Sequence, residues 1–135
     1  MLNRLAQGLL EAIGEGASEL SIELIGDAKM RRLNRQFRRV DRTTDVLAFA
    51  LREAEGPSSG LLGDVVISIP TALRQARELA HTPDEEIVRL LIHGLLHLVG
   101  YDHERGERDA SRMRRKEQDL WKSVQPLGKI VISKP

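Results

Sequence analysis

From Ile87 to Val99 every residue except Arg89, His93, Gly94 and His97 is a large aliphatic. A segment apolar on all sides has no face to give to water, so it predicts a helix buried all round, with the rest of the fold wrapped about it. Its start is marked by Thr82, Pro83 and Glu85, which match an N-cap, a proline at the first helical position and the acid of a capping box. The helix is therefore expected to open near Pro83, and Gly100 is placed to close it in the left-handed conformation. In a chain of 135 residues one such helix implies one core, and residues 1–135 are expected to form a single domain.

The flanking pattern supplies what surrounds it. Leu2, Leu5, Leu9, Ala12 and Ile13 recur at helical spacing and predict an amphipathic first helix ended by Gly14 and Gly16. Glu19 to Ile25 alternates Leu20, Ile22 and Leu24 with polar neighbours, the signature of a strand with one buried face. A helix from Ala28 to about Arg39 carries Met30, Leu33 and Phe37 on one side, and residues 40–44 form a loop. Asp45 to Leu51 reads as a short strand, residues 52–60 (REAEGPSSG) as a connection, and the near-continuous apolar run Leu61 to Ile69 as an interior strand. Pro70 and Thr71 open a helix to about Ala80. Asp109 to Ser123 is a charged surface helix with Met113, Leu120 and Trp121 as its apolar contacts, followed by an apolar tail to Pro135. The order αβαββααα predicts an α+β domain, a small mixed sheet of three or four strands packed with helices.

Composition excludes several classes. With no Cys, disulfides, thiolate chemistry and Cys-based zinc sites are ruled out, so any metal must be held by His or carboxylates. Only Phe37, Phe49, Tyr101 and Trp121 are aromatic, which leaves little for base-stacking platforms, and a net charge of +1 gives no global pull toward polyanions. The basic residues are instead local: Lys29, Arg31, Arg32, Arg35, Arg38, Arg39 and Arg42 face only Asp41 between residues 28 and 42, a stripe suited to phosphates or to plain solvation. No segment approaches the ~18 apolar residues of a membrane span, and the amino terminus lacks a secretory pattern, so a cytoplasmic protein with no membrane partner is expected.

Three of the four histidines fall in the string HGLLHLVGYDH, as His93, His97 and His103. Residues four apart on a helix share a face, so His93 and His97 can turn two imidazoles toward one ion, and the turn at Gly100 can bring His103 back beneath them. A lone histidine on a buried helix is most often a hydrogen-bonded core residue. Two at this spacing with a third after a glycine turn point instead to a shared metal, three neutral imidazoles with an open fourth position. His81, in a loop between helices, reads as a surface or cap residue. Asp64 and Asp102 are candidates to orient a ligand histidine or a water, a strand-cap role being the other reading of Asp64. The His spacing is that of metzincin zinc proteases, but the residue after the first His, their glutamate general base, is Gly94 here.

The same string resembles the hallmark HGxLHLxGYDH of the YbeY family of bacterial metal-dependent endoribonucleases, with every fixed position filled. Leu33 to Arg38 (LNRQFR) is similar to the family's LNxxYR, Thr43 to Phe49 (TTDVLAF) to TDVLSF, and Leu61 to Ser68 (LLGDVVIS) to LGDIVIS. Ala48 and Ala50 depart from a common Ser and Pro and bear on the shape of that strand edge. The resemblance implies one zinc-type ion (Zn2+ or another divalent metal) on His93, His97 and His103, with Arg38 as the second functional residue. It also implies cleavage of single-stranded RNA in maturation of small-subunit ribosomal RNA and in ribosome quality control, with the small subunit as partner. Arg31 and Arg35 are candidate RNA contacts on the stripe. The general base is open between metal hydroxide, Asp102 and the RNA 2′-hydroxyl. The alternatives are a zinc peptidase and a ribosome-associated binding protein whose metal is structural.

Overall fold

The chain orders itself around the helix that the aliphatic run encodes. The computed structural model describes residues 2–51, 60–101 and 106–125. Its elements are α1 (Leu2–Ala12), β1 (Ser18–Ile25), α2 (Asp27–Arg38), β2 (Val46–Ala50), β3 (Gly60–Ser68), α3 (Ile69–Glu78), α4 (Pro83–Leu98) and α5 (Glu107–Ser123). This is the order expected from the sequence. Most of the 52–60 connection and the tail from residue 126 lie outside the described residues.

Among the described residues the sheet is three-stranded and mixed, in the order β1-β3-β2, with β1 parallel and β2 antiparallel to β3. The near-continuous apolar run of β3 is explained by this central place: Leu62, Val65, Val66 and Ile67 are all buried because both faces are covered. Val65 faces α4, where the Cβ missing from Gly94 would fall 2.8 Å from Val65 Cγ1. Val66 faces the other way, into a smaller cluster with Ile25, Met30 and Leu47 beneath α2. Leu62 is the extra residue of a bulge, since Leu61 pairs with Glu19 and Gly63 with Leu20, and it joins the larger core.

α4 is the buried centre. Leu91, Leu95 and Leu96 are fully buried, and the helix packs on β2, β3, α3 and α5. Its start is fixed by the full capping box: Thr82 Oγ1 accepts from the Glu85 N–H at 3.1 Å, and Glu85 accepts from the Thr82 N–H at 2.8 Å. Donation from the Thr82 backbone N–H, and after it from the Thr82 side chain, to the Glu85 carboxylate lowers the Glu85 pKa. Buried beside it, Glu86 has no exposed side-chain surface, and it accepts from the Arg89 guanidinium while His81 Nδ1 stands 3.3 Å away. His81 thus serves this buried carboxylate.

A second polar knot fixes the opposite side. Ser68 ends β3 by capping α3, its hydroxyl accepting from the Thr71 N–H, which is why the strand stops one residue short of the expected Ile69. The same hydroxyl donates to Asp27 Oδ1 at 2.6 Å, joined by Thr71 at 2.7 Å and Thr43 at 3.2 Å, while Arg74 donates to Oδ2 at 3.0 Å. Burial alone would raise the Asp27 pKa, but the donors Ser68, Thr71, Arg74 and Thr43 outweigh it and hold it at about 2. No helix of the described residues is long and apolar enough to cross a membrane.

Candidate active site

β2 lies at one end of the strand order, so one of its sides has no strand beside it among the described residues. Along it runs a cleft of about 710 Å³, lined by Phe37 and Arg38 from the end of α2, Thr44 to Phe49 from the β2 segment, and His93, Gly94 and His97 from α4. α2 and α4 cover opposite faces of the sheet, and the cleft is where their side chains meet around its edge.

The two histidines arrive half-buried and converging. Their rings lie 4.7 Å apart at 76°, and the two Nε2 atoms stand 3.2 Å from one another. Two nitrogens bonded to one tetrahedral zinc at about 2.0–2.1 Å stand roughly 3.3 Å apart, so the pair fits two ligands of a single ion. What lets α4 come this close to the sheet is Gly94, whose Cβ would fall 2.8 Å and 3.2 Å from the two Val65 methyls and 3.3 Å from Val46 Cγ2. The glycine that a peptidase would replace with its base therefore faces the sheet and admits no side chain. α4 ends as expected: Gly100 takes φ +101°, and the Gly100 and Tyr101 N–H groups donate to the His97 and Leu96 carbonyls. His103 and Asp102 lie outside the described residues, and among the described residues no third His, Asp or Glu completes a metal-holding group.

α5 adds Glu117, whose Oε2 is 3.7 Å from His93 Nδ1, the nitrogen opposite the converging pair. The carboxylate thus puts a negative charge behind the ring, beyond direct hydrogen-bond distance. The sequence reading passed over Glu117, although its spacing between Met113 and Leu120 puts an acid on the buried face of an otherwise exposed helix. It also passed over Asp45. This carboxylate lines the cleft, held by the Val46 N–H at 2.8 Å and Gln75 Nε2 at 3.2 Å.

Arg38 lines the same cleft as the histidines, and among the described residues no carboxylate pairs with it. Its position is set by the way α2 ends. Arg39 adopts φ +58°, with its N–H on the Arg35 carbonyl, the Val40 N–H on Asn34, and the buried Asn34 amide donating to the Arg42 carbonyl at 2.9 Å. A left-handed non-glycine residue costs about 1 kcal/mol, and here it turns the chain directly after Arg38.

The remaining candidates go elsewhere. Arg31 grips Asp41 with two hydrogen bonds, at 2.9 Å and 3.2 Å, and Arg35 stands 3.9 Å from the same carboxylate, so neither lines the cleft. The hydrogen bond from Arg31 is the main cause of a lowered Asp41 pKa. Lys29 pairs with Glu23, and the stripe is less positive than its sequence suggests. Asp64 sits in mid-strand, paired with Ser21 and Phe49, so it caps nothing. Strand alternation puts it with Val66 on the α2 face, across the sheet from the histidines. Two of the four aromatics, Phe37 and Phe49, meet at this cleft with centroids 5.1 Å apart.

Residues 2–125 match the family model described as Endoribonuclease YbeY. An "Endoribonuclease YbeY" of Anaeromyxobacter sp. (strain Fw109-5) is 52% identical over 91% of this chain, which spans 63% of that protein's length. One from Pelotomaculum thermopropionicum is 47% identical over 99% of this chain and 87% of its own length. The fold is similar to the solution structure of TM1509 from Thermotoga maritima, with a TM-score of 0.66 and 29% identity over 95% of this chain and 91% of that one. With its histidine pair, its cleft-facing arginine and a family match over nearly its whole length, the chain belongs to the Endoribonuclease YbeY family.

Proposed function

We propose that this protein is a metal-dependent endoribonuclease that hydrolyses phosphodiester bonds of single-stranded RNA in the cleft along β2. The observation that carries the reading is that His93, His97 and Arg38, which no carboxylate pairs among the described residues, line one cavity. His93, His97 and His103 would hold one zinc-type divalent ion. When bound, such an ion supplies Lewis acidity toward a phosphoryl oxygen or lowers the pKa of a water. Arg38 presents a planar fork of donors that grips two phosphate oxygens at once and stabilises the charge that grows on them. Glu117 places a carboxylate on the Nδ1 side of His93, away from the cleft. Family membership supports RNA as substrate, and the motif resemblance supports small-subunit ribosomal RNA maturation and ribosome quality control in the cytoplasm. A peptidase reading lacks its base, since position 94 has no room for one.

The test is to strip the protein with a chelator, restore zinc stepwise, and follow metal content, cleavage of a labelled single-stranded RNA and cleavage of casein together. About one ion per chain, RNA cleavage rising with it and intact casein are expected. RNA cleavage indifferent to metal, or hydrolysis of casein alone, would overturn the proposal.

A further inference from the structure

Phe37 is an anomaly on α2. The residue is 57% exposed, although the apolar face of the helix has Met30 fully buried two turns earlier. Phe49 is half-buried against the small cluster of Ile25, Met30, Leu47 and Val66, whereas Phe37 meets Phe49 edge-on, at 63° between ring planes. The core is closed by Phe49, and Phe37 adds a flat apolar face at the wall of the cleft that holds Arg38, His93 and His97. Leaving a phenyl ring in water has a cost, and at this place an aromatic plane has a matching ligand.

We infer that Phe37 is a stacking platform for one unpaired nucleobase of the RNA, next to the phosphate that Arg38 grips. This rests on the RNA-cleaving reading above and names how that site selects its substrate. Base and phosphate of one nucleotide are joined through a single sugar, so a ring and a guanidinium adjacent in sequence and lining one cleft suit neighbouring parts of one residue. Phe49 backs the ring edge-on, an arrangement aromatic pairs favour, and limits how far it can swing away. A base in a duplex has both faces covered by its neighbours, whereas a base in a single strand offers one, so a face-reading contact selects single strands without selecting sequence.

The experiment measures binding and single-turnover cleavage of a short single-stranded RNA whose cleavage position has been mapped with the wild type, alongside versions carrying one abasic residue at each position flanking the cut. In the wild type, one abasic position should weaken binding about tenfold. Phe37→Ala should weaken binding of the intact RNA by a similar factor and lose the sensitivity to that abasic site. Phe37→Trp should keep both the affinity and the sensitivity. Phe37→Leu retains an apolar partner for Phe49 without the flat face and should behave like Phe37→Ala, which separates stacking from any loss of fold. Equal binding of intact RNA by wild type, Phe37→Ala and Phe37→Leu, or an abasic penalty that survives in these variants, overturns the stacking role while RNA cleavage stands. A wild type that neither binds nor cleaves the RNA overturns both.

Discussion

Gly94→Ala adds one methyl group where the structure has no space. The new Cβ would lie 2.8 Å from Val65 Cγ1, against about 3.5–4.0 Å for relaxed carbons, a shortfall of roughly 1 Å. Val65 cannot yield: it is fully buried in the central strand, held by β1 and β2 on either side, and its branched side chain is stiff at χ1. α4 would have to lift from the sheet and carry His93 and His97 away from Arg38. Overpacking of this kind costs about 1–3 kcal/mol, and the better helix propensity of alanine returns about 1 kcal/mol, for a net loss near 1 kcal/mol. Val65→Ala alone removes two buried methyls and should cost about 2 kcal/mol. Combined, the new methyl takes the space the valine left, and the double variant should be more stable than the sum of the singles predicts, by about 1–2 kcal/mol. Urea unfolding of the four proteins at constant slope measures this coupling. Additive effects, or a Gly94→Ala variant more stable than wild type by the full helix-propensity gain, would refute the steric role of this glycine.

The other predictions touch separate parts of the molecule. His97→Ala should lose most bound metal, with content by elemental analysis falling from about one per chain toward zero, since two imidazoles leave a zinc-type ion under-coordinated. Asp27→Asn should destabilise at neutral pH and much less at pH 2. A carboxylate whose pKa drops from 3.8 to about 2 on folding stabilises fully above the unfolded value, and that contribution fades as pH falls through the folded one. The full shift corresponds to about 2.4 kcal/mol, which screening of a side chain one-third exposed reduces to about 1 kcal/mol, and urea midpoints against pH read it. Arg89→Met should lower Tm by roughly 10 °C, about 3 kcal/mol, because it strands the buried Glu86 carboxylate, and Glu86→Gln in the same chain should recover part of the loss.

What was legible in the sequence is what local chemistry dictates. The capping box placed the start of α4 at Pro83, the aliphatic run made it central, and the i, i+4 spacing put both imidazoles on one side. Boundaries slipped where the residue at a helix start decides them. Ser68 ends β3 early by capping α3, and Gly106 lets α5 begin at Glu107, two residues before the expected Asp109. The misplaced residues were those whose surroundings depend on sheet order. Nothing in the periodicity of β3 says which face α4 will take, so Asp64 could not be assigned a side from the sequence. The Arg31–Asp41 pair spans ten residues and closes only because α2 ends in the turn at Arg39. Glu117 and the Phe37–Phe49 contact are tertiary in the same sense, each joining elements that the chain pattern leaves independent.

If Arg38 and a metal held by His93, His97 and His103 act on one RNA phosphate, as proposed, single-turnover cleavage by Arg38→Ala, with metal content and Tm measured on the same sample, shows it. Loss of one charge-stabilising donor should slow cleavage on the order of 10², about 2.7 kcal/mol, with metal and Tm unchanged. Arg38→Lys should recover only part, and Arg31→Ala, already engaged with Asp41, should change little. Wild-type cleavage by Arg38→Ala, or a loss explained wholly by shed metal or unfolding, would contradict a role of Arg38 at the phosphate.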